Sequence, residues 1–169
     1  RFQLQEKNLV TCSSFREEEA NIWHHILQMN GKKAEFCDYL LPDKNVFVRE
    51  YRTDVPFTIQ LQAEEDVEKK VFPHFLFDQT TKDCLMLRLP MGKNFFTSLS
   101  VEEETWLAVV LEGGSITPEG NLLLEGNGRL LLSSGLLPDA VSQMSWVLER
   151  PSEQLSNSVR SYWKTFLSG

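Results

Sequence analysis

The sequence predicts an α+β domain: an antiparallel or mixed sheet of about six to eight strands, with three or four helices packed mainly on one face. Three observations lead there. Phe57-Thr58-Ile59-Gln60-Leu61-Gln62 alternates cleanly between apolar and polar, the period of a half-buried strand. Ser14 with Glu17, and Ser100 with Glu103, each have capping-box spacing ahead of an apolar run. Two triple-leucine runs, Leu122-Leu123-Leu124 and Leu130-Leu131-Leu132, flank Gly126-Asn127-Gly128.

The leucine-rich stretch, residues 121–137, is the expected centre of the fold. Asn-Gly favours a type I′ turn, because both central residues of that turn need positive φ. The stretch therefore reads as a buried hairpin. Unbroken leucine runs, in place of alternating ones, imply strands covered on both faces. Leucine also favours helix, so helix stays open for the second run.

The remaining elements follow in order. Residues 2–10 suit a short strand. From Ser14, the residues Phe15, Ile22, Trp23, Ile26 and Leu27 recur at helical spacing, and Asn30-Gly31 would stop that helix. Glu17-Glu18-Glu19 would then sit in its first turn, where the helix dipole favours negative charge. Residues 34–41, 46–52 and 57–62 read as strands, divided by turn clusters such as Pro42-Asp43-Lys44-Asn45. Residues 63–70 form a charged connector. Residues 71–77 and 84–89 read as a hairpin around Gln79-Thr80-Thr81-Lys82, and Pro73 marks the first of them as an edge strand or a bulge. A second capped helix is expected over Trp106-Leu107-Ala108-Val109-Val110-Leu111, ended by Gly113-Gly114. Pro138 opens a helix whose Val141, Met144, Val147 and Leu148 share a face, and Arg150-Pro151 breaks it. The last helix aligns Leu155, Val159, Tyr162, Trp163, Phe166 and Leu167 at spacings of three and four.

Composition narrows the function. At 169 residues, starting from Arg1, the chain is expected to be a single globular domain, 1–169, excised from a larger protein. Apolar residues make up 41% and charged residues 24%, ordinary for a soluble fold. No apolar run approaches the ~20 residues that a membrane-spanning helix needs. Net charge is −7, from 17 basic and 24 acidic residues, a field that repels nucleic acid. Three widely spaced cysteines, Cys12, Cys37 and Cys84, form no CxxC pair, so a disulfide framework is not expected and an intracellular, cytoplasmic or nuclear location is.

No catalytic motif emerges. The chain contains no G-x-S-x-G, P-loop, G-x-G-x-x-G or H-E-x-x-H. His24 and His25 are adjacent on the expected first helix, so they point about 100° apart and cannot share one ion. His74 and Cys84 fall on opposite faces if Asp78 pairs with Asp83, which removes a thiol dyad in that register. Asp38 and Glu50 lie in strands with nothing in sequence to pair them. Neither metal nor cofactor is expected.

The expected function is therefore a non-catalytic protein–protein interaction domain: an adaptor, a regulatory subunit or a structural component of a complex. Its partner would be another protein or a second copy, with aromatic anchors at Phe95, Phe96, Tyr162, Trp163 and Phe166. The same aromatic helix face would otherwise pack on its own sheet. Two alternatives stay open. One is an enzyme with a dispersed cysteine or carboxylate centre. The other is a nucleic-acid module with a basic face around Lys32, Lys33, Arg49 and Arg52.

Overall fold

The computed structural model describes residues 3–6, 11–29, 31–62, 67–89 and 104–169. Among these the α+β expectation gives way to a β-dominated fold. Ten strands form one antiparallel sheet, and only two helices follow, both at the C-terminal end. The strands are β1 (Gln3–Glu6), β2 (Thr11–Arg16), β3 (Ile22–Met29), β4 (Lys32–Leu40), β5 (Val46–Thr53), β6 (Phe57–Gln62), β7 (Glu68–Phe77), β8 (Thr80–Leu89), β9 (Thr105–Ile116) and β10 (Asn121–Gly135). The helices are α1 (Leu137–Leu148) and α2 (Ser152–Ser168). The sheet runs β2-β3-β4-β5-β10-β9-β8-β7, with β6 also paired to β10 and β1 to β6.

The central leucine stretch is one long strand, not a hairpin. Leu122, Leu123 and Leu124 of β10 pair with β6 on one side, and residues 127–133 pair with β5 on that same side. All along the other side lies β9, with a register break between Leu124 and Arg129. The Asn-Gly sequence supplies that bulge instead of a reversal: Gly126 has φ 63°, and the extra residues bend β10 between its two partners. Burial on both faces is as expected, since the neighbours Leu130 and Leu131 are both fully buried.

Both capped helices expected in the N-terminal two thirds are strands. Residues from Ser14 onward form the β2–β3 hairpin, in which Phe15 pairs with His24 and Ser14 with His25. The Glu17-Glu18-Glu19 run lies in its connection, closed by the Glu17 amide donating to the Ile22 carbonyl at 2.9 Å. Trp106 to Leu111 belong to β9, and Gly113-Gly114 continue that strand. A cap contributes only about 1 kcal/mol. Cross-strand pairing of β-branched and aromatic residues on two neighbours outweighs it. Ser100 and Glu103 themselves lie outside the described residues, as do Phe95 and Phe96.

Other expectations match the structure. In β6, Phe57, Ile59 and Leu61 are buried while Thr58, Gln60 and Gln62 are more open. β7 is an edge strand with a bulge between Phe72 and Phe75, around Pro73. The β7–β8 turn is Asp78-Gln79, so Phe77 pairs with Thr80 and the expected Asp78–Asp83 register is displaced. His74 is exposed there with φ 55°, its amide donating to Asp83 at 3.0 Å, whereas Cys84 is fully buried.

Two apolar layers hold the sheet. On one face, Ala140, Met144 and Val147 of α1 and Leu155 and Val159 of α2 cover Ile22, Tyr39, Val48, Met86, Val110 and Leu131. On the other, Phe36, Phe57, Ile59, Leu85, Leu124 and Leu130 form a second layer. Phe36 of β4 meets Phe57 of β6 with ring centroids 5.6 Å apart, although those strands do not pair. β5 and β6 follow each other along one edge of β10, which brings Phe57 next to the β4 side of β5.

Candidate functional site

The antiparallel registers align polar residues into two rows across the helix-bearing face. The first row crosses six strands: Phe15, His24, Cys37, Glu50, Arg129 and Glu112, each directly opposite the next. The second crosses four: Ile26, Glu35, Arg52 and Asn127. Together they floor an open groove of about 720 Å³, walled at one end by Pro151 and Ser152 of the α1–α2 junction. The junction is tied to the floor by Arg129, whose Nη1 donates to the Arg150 carbonyl at 2.8 Å while Nε and Nη2 hold Glu112 at 2.9 and 2.6 Å.

At the open end of the first row, the exposed Phe15 ring stacks on His24, 4.8 Å between centroids and 10° from parallel. His24 Nε2 lies 2.9 Å from Glu17 Oε2, and Arg160 of α2 grips both oxygens of Glu17 at 2.8 and 3.0 Å. Hydrogen bonding from Arg160, joined by His24, holds the Glu17 carboxyl down to about 2. Because the folded value lies below the ordinary 4.5, protonation favours the unfolded chain. The stabilisation is complete above pH ~4.5 and is lost as pH falls towards 2. Glu17→Gln is expected to cost on the order of 1 kcal/mol at neutral pH and to flatten the acid limb of a stability–pH curve measured by urea melts. An unchanged acid limb would show that Glu17 does not pin α2 to the β2–β3 turn.

Cysteine chemistry is suppressed in the groove. Burial, together with the Glu50 carboxylate, pushes the Cys37 thiol up to about 12; burial does the same to Cys84. Neither carries appreciable thiolate at neutral pH, which removes the physical basis for a nucleophilic centre at either. A thiol probe is expected to label the exposed Cys12 in the folded protein and to reach Cys37 and Cys84 only after unfolding. Mass spectrometry of the labelled chain reads this directly, and prompt labelling of Cys37 would contradict it.

The opposite face carries a chain of contacts that resembles a nucleophile relay. Ser14 Oγ lies 2.6 Å from His25 Nδ1, and His25 Nε2 lies 3.3 Å from Asp38 Oδ2. Asp38, however, is bonded through both oxygens to Arg49, at 2.8 Å each, in a largely buried pair. Its charge is already neutralised there, so it offers little stabilisation to an imidazolium. The arrangement is a cross-strand polar brace, with Arg49 also packed over Phe36 at 4.2 Å.

This geometry also disperses the basic face considered from sequence. Arg49 faces the Asp38 side of β5, whereas Arg52 faces the groove, and Lys33 is engaged by Glu35 at 2.6 Å. His24 and His25, adjacent on a strand, point to opposite faces. No group of three or more His, Cys, Asp or Glu side chains among the described residues is arranged to hold a metal.

Of the aromatic residues expected at an interface, Phe95 and Phe96 lie outside the described residues. The other three are together on α2. Trp163 is half-buried against the helix-side core, while Tyr162 and Phe166 are 44% and 64% exposed. Their rings form one cluster, with Trp163 edge-on to both neighbours at 5.5 Å. Leu167 extends the surface at 62% exposure. The helix is therefore anchored in the core at one end and apolar on its exposed surface at the other. Leu155, Ser156 and Val159 are buried in its N-terminal half, and an apolar stripe stands clear in its C-terminal half.

The groove leaves no motif in the sequence, because the residues of its floor come from six strands. The available signal was narrower: Glu50 and Arg52 are charged residues spaced by two on the face of β5 that otherwise carries Val46 and Val48.

No protein-family model matches the chain, and no curated protein matches it. Among solved structures, it is similar to a bacterial glucoamylase complexed with acarbose, with a TM-score of 0.67 and 8% sequence identity. The match covers 95% of this chain and 29% of the glucoamylase chain. At that identity the likeness speaks for the fold alone. No described helix is long and apolar enough to cross a membrane.

Proposed function

We propose that this chain is a non-catalytic interaction domain that docks another folded protein domain through the C-terminal half of α2. The observation that carries the reading is the stripe of Tyr162, Phe166 and Leu167, exposed on a helix whose other half is anchored in the core. Such a stripe leaves a large apolar area in water, and aromatic anchors of this kind dominate interface energies. The anchoring matters as much as the exposure. Leu155, Val159 and the Arg160–Glu17 pair fix the helix, so little conformational freedom is lost on docking. The insulated thiols and the neutralised Asp38 weigh against a catalytic centre at those residues.

The test compares the triple variant Tyr162→Ser, Phe166→Ser, Leu167→Ser with wild type in analytical ultracentrifugation and in capture of co-expressed partners. The variant is expected to keep its melting temperature within a few degrees. It should lose association, with affinity reduced at least about tenfold. Undiminished association in a folded variant, or a wild-type protein that associates with nothing, would refute the proposal.

A further inference from the structure

We infer that the groove on the helix-bearing face is a binding site for a neutral saccharide, independent of the α2 docking surface. Its volume, about 720 Å³, lies within the range of small-molecule sites. The residues that line it match the chemistry of a polyhydroxylated ring.

Charge comes first. Along the rows, cationic and anionic side chains alternate: Glu50 stands opposite Arg129, Arg129 opposite Glu112, and Glu35 opposite Arg52. Arg129 is consumed by Glu112, and Glu35 by Lys33. The charged groove residues left without an ion-pair partner among the described residues are one carboxylate, Glu50, and one guanidinium, Arg52. The two stand on the same face of β5, two residues apart. A pair of opposite charges favours neither an anion nor a cation. It does favour a ligand that donates to a carboxylate and accepts from a guanidinium within one short span, which adjacent sugar hydroxyls do.

Geometry supplies the other requirements. Carboxylate, guanidinium and amide are planar and each makes two parallel hydrogen bonds, so Glu50, Arg52 and Asn127 can each take a pair of neighbouring hydroxyls. Asn127 is held at the rim by the β10 bulge, a device that commonly re-aims a side chain beside a site. The Phe15 ring, 56% exposed and backed on one side by His24, presents a flat apolar surface to the C–H face of a sugar. On the same face, where the helices cover the sheet, the Tyr39 phenol is buried beside Glu50, and burial together with the Glu50 carboxylate pushes it up.

The experiment titrates three neutral linear pentasaccharides, α-1,4-glucose, β-1,4-glucose and β-1,4-xylose, into isotopically labelled protein and follows amide shifts. At least one is expected to give saturable shifts at Cys37, Glu50, Arg52 and Asn127, with a dissociation constant in the millimolar range or tighter. Phe15→Ala and Arg52→Ala, both at exposed positions, should keep the fold by circular dichroism and weaken that binding at least about tenfold. The triple α2 variant should bind the sugar as wild type does, which separates this site from the docking surface. Three results overturn the inference: no groove shifts with any of the three sugars, shifts that survive both groove substitutions, or tighter binding of glucuronate or glucose 6-phosphate than of the neutral sugars.

Discussion

Gly128→Ala is expected to prevent stable folding, with a loss of more than about 3 kcal/mol in urea or thermal melts. A Cβ at that position would be driven into the Glu112 carbonyl oxygen of β9, with the carbonyl carbon at 2.7 Å and the Tyr51 hydroxyl at 2.8 Å. The first two are backbone atoms of a central strand, so no side-chain rotation relieves the clash. The site is also crowded from the other direction. Gly113 of β9 has φ 84°, and a Cβ there would strike the Asn127 carbonyl oxygen, while Tyr51 donates to the Glu112 carbonyl at 2.8 Å. The bulge that lets β10 serve both β5 and β6 is therefore possible only where two strands meet through glycine. Asn127→Ala, one residue away and exposed, is expected to change stability by less than about 0.5 kcal/mol. A Gly128→Ala protein that melts within about 1 kcal/mol of wild type would show that the bulge adapts more readily than this packing allows.

Arg49→Leu is expected to cost about 3–5 kcal/mol, because it strands the buried Asp38 carboxylate without its bidentate partner. The double variant Asp38→Leu, Arg49→Leu should recover most of that loss, since replacing both members of a buried pair by apolar groups removes the desolvation penalty together with the attraction. The cycle measures the coupling between β4 and β5 on the face opposite the groove, and urea melts of the four proteins are sufficient. A double variant no more stable than Arg49→Leu would mean that the cost arises from lost packing over Phe36 and not from the unpaired charge.

The two outcomes bear on different levels of the structure. Gly128 determines whether the sheet can bend at all. Arg49 and Asp38 brace the strands that carry the groove on their other face, and Glu35, Cys37, Glu50 and Arg52 hold their row positions only while β4 and β5 keep register.

Several elements could be read from local pattern. The alternation over Phe57–Gln62 placed its three apolar residues in the core, and Pro73 marked an edge strand and a bulge together. The two C-terminal helices were legible because their apolar residues recur at three and four over more than two turns, with Pro138 and Pro151 setting their starts. The residues from Ser14 to Leu27 show where this fails. Ile22, Ile26 and Leu27 fit a helical stripe as well as they fit a strand, and the capping box tipped the balance towards helix. In the folded chain Ile22 and Leu27 lie on opposite faces and feed two different apolar layers. A window of that length does not separate the two periods when histidines and a tryptophan fill the gaps.

What the sequence determined unaided was the set of local preferences: which residues alternate, which recur at helical spacing, where glycine or proline interrupts, and that no compact catalytic motif exists. Tertiary structure alone decided that β10 is one strand with two partners along a single edge, and that six strands bring Phe15, His24, Cys37, Glu50, Arg129 and Glu112 into line. The physical reason is range. A cap or a turn is an interaction among neighbours in the chain, but a cross-strand row depends on registers between segments as far apart as Glu50 and Arg129, and those are fixed only when the whole sheet buries its two faces at once.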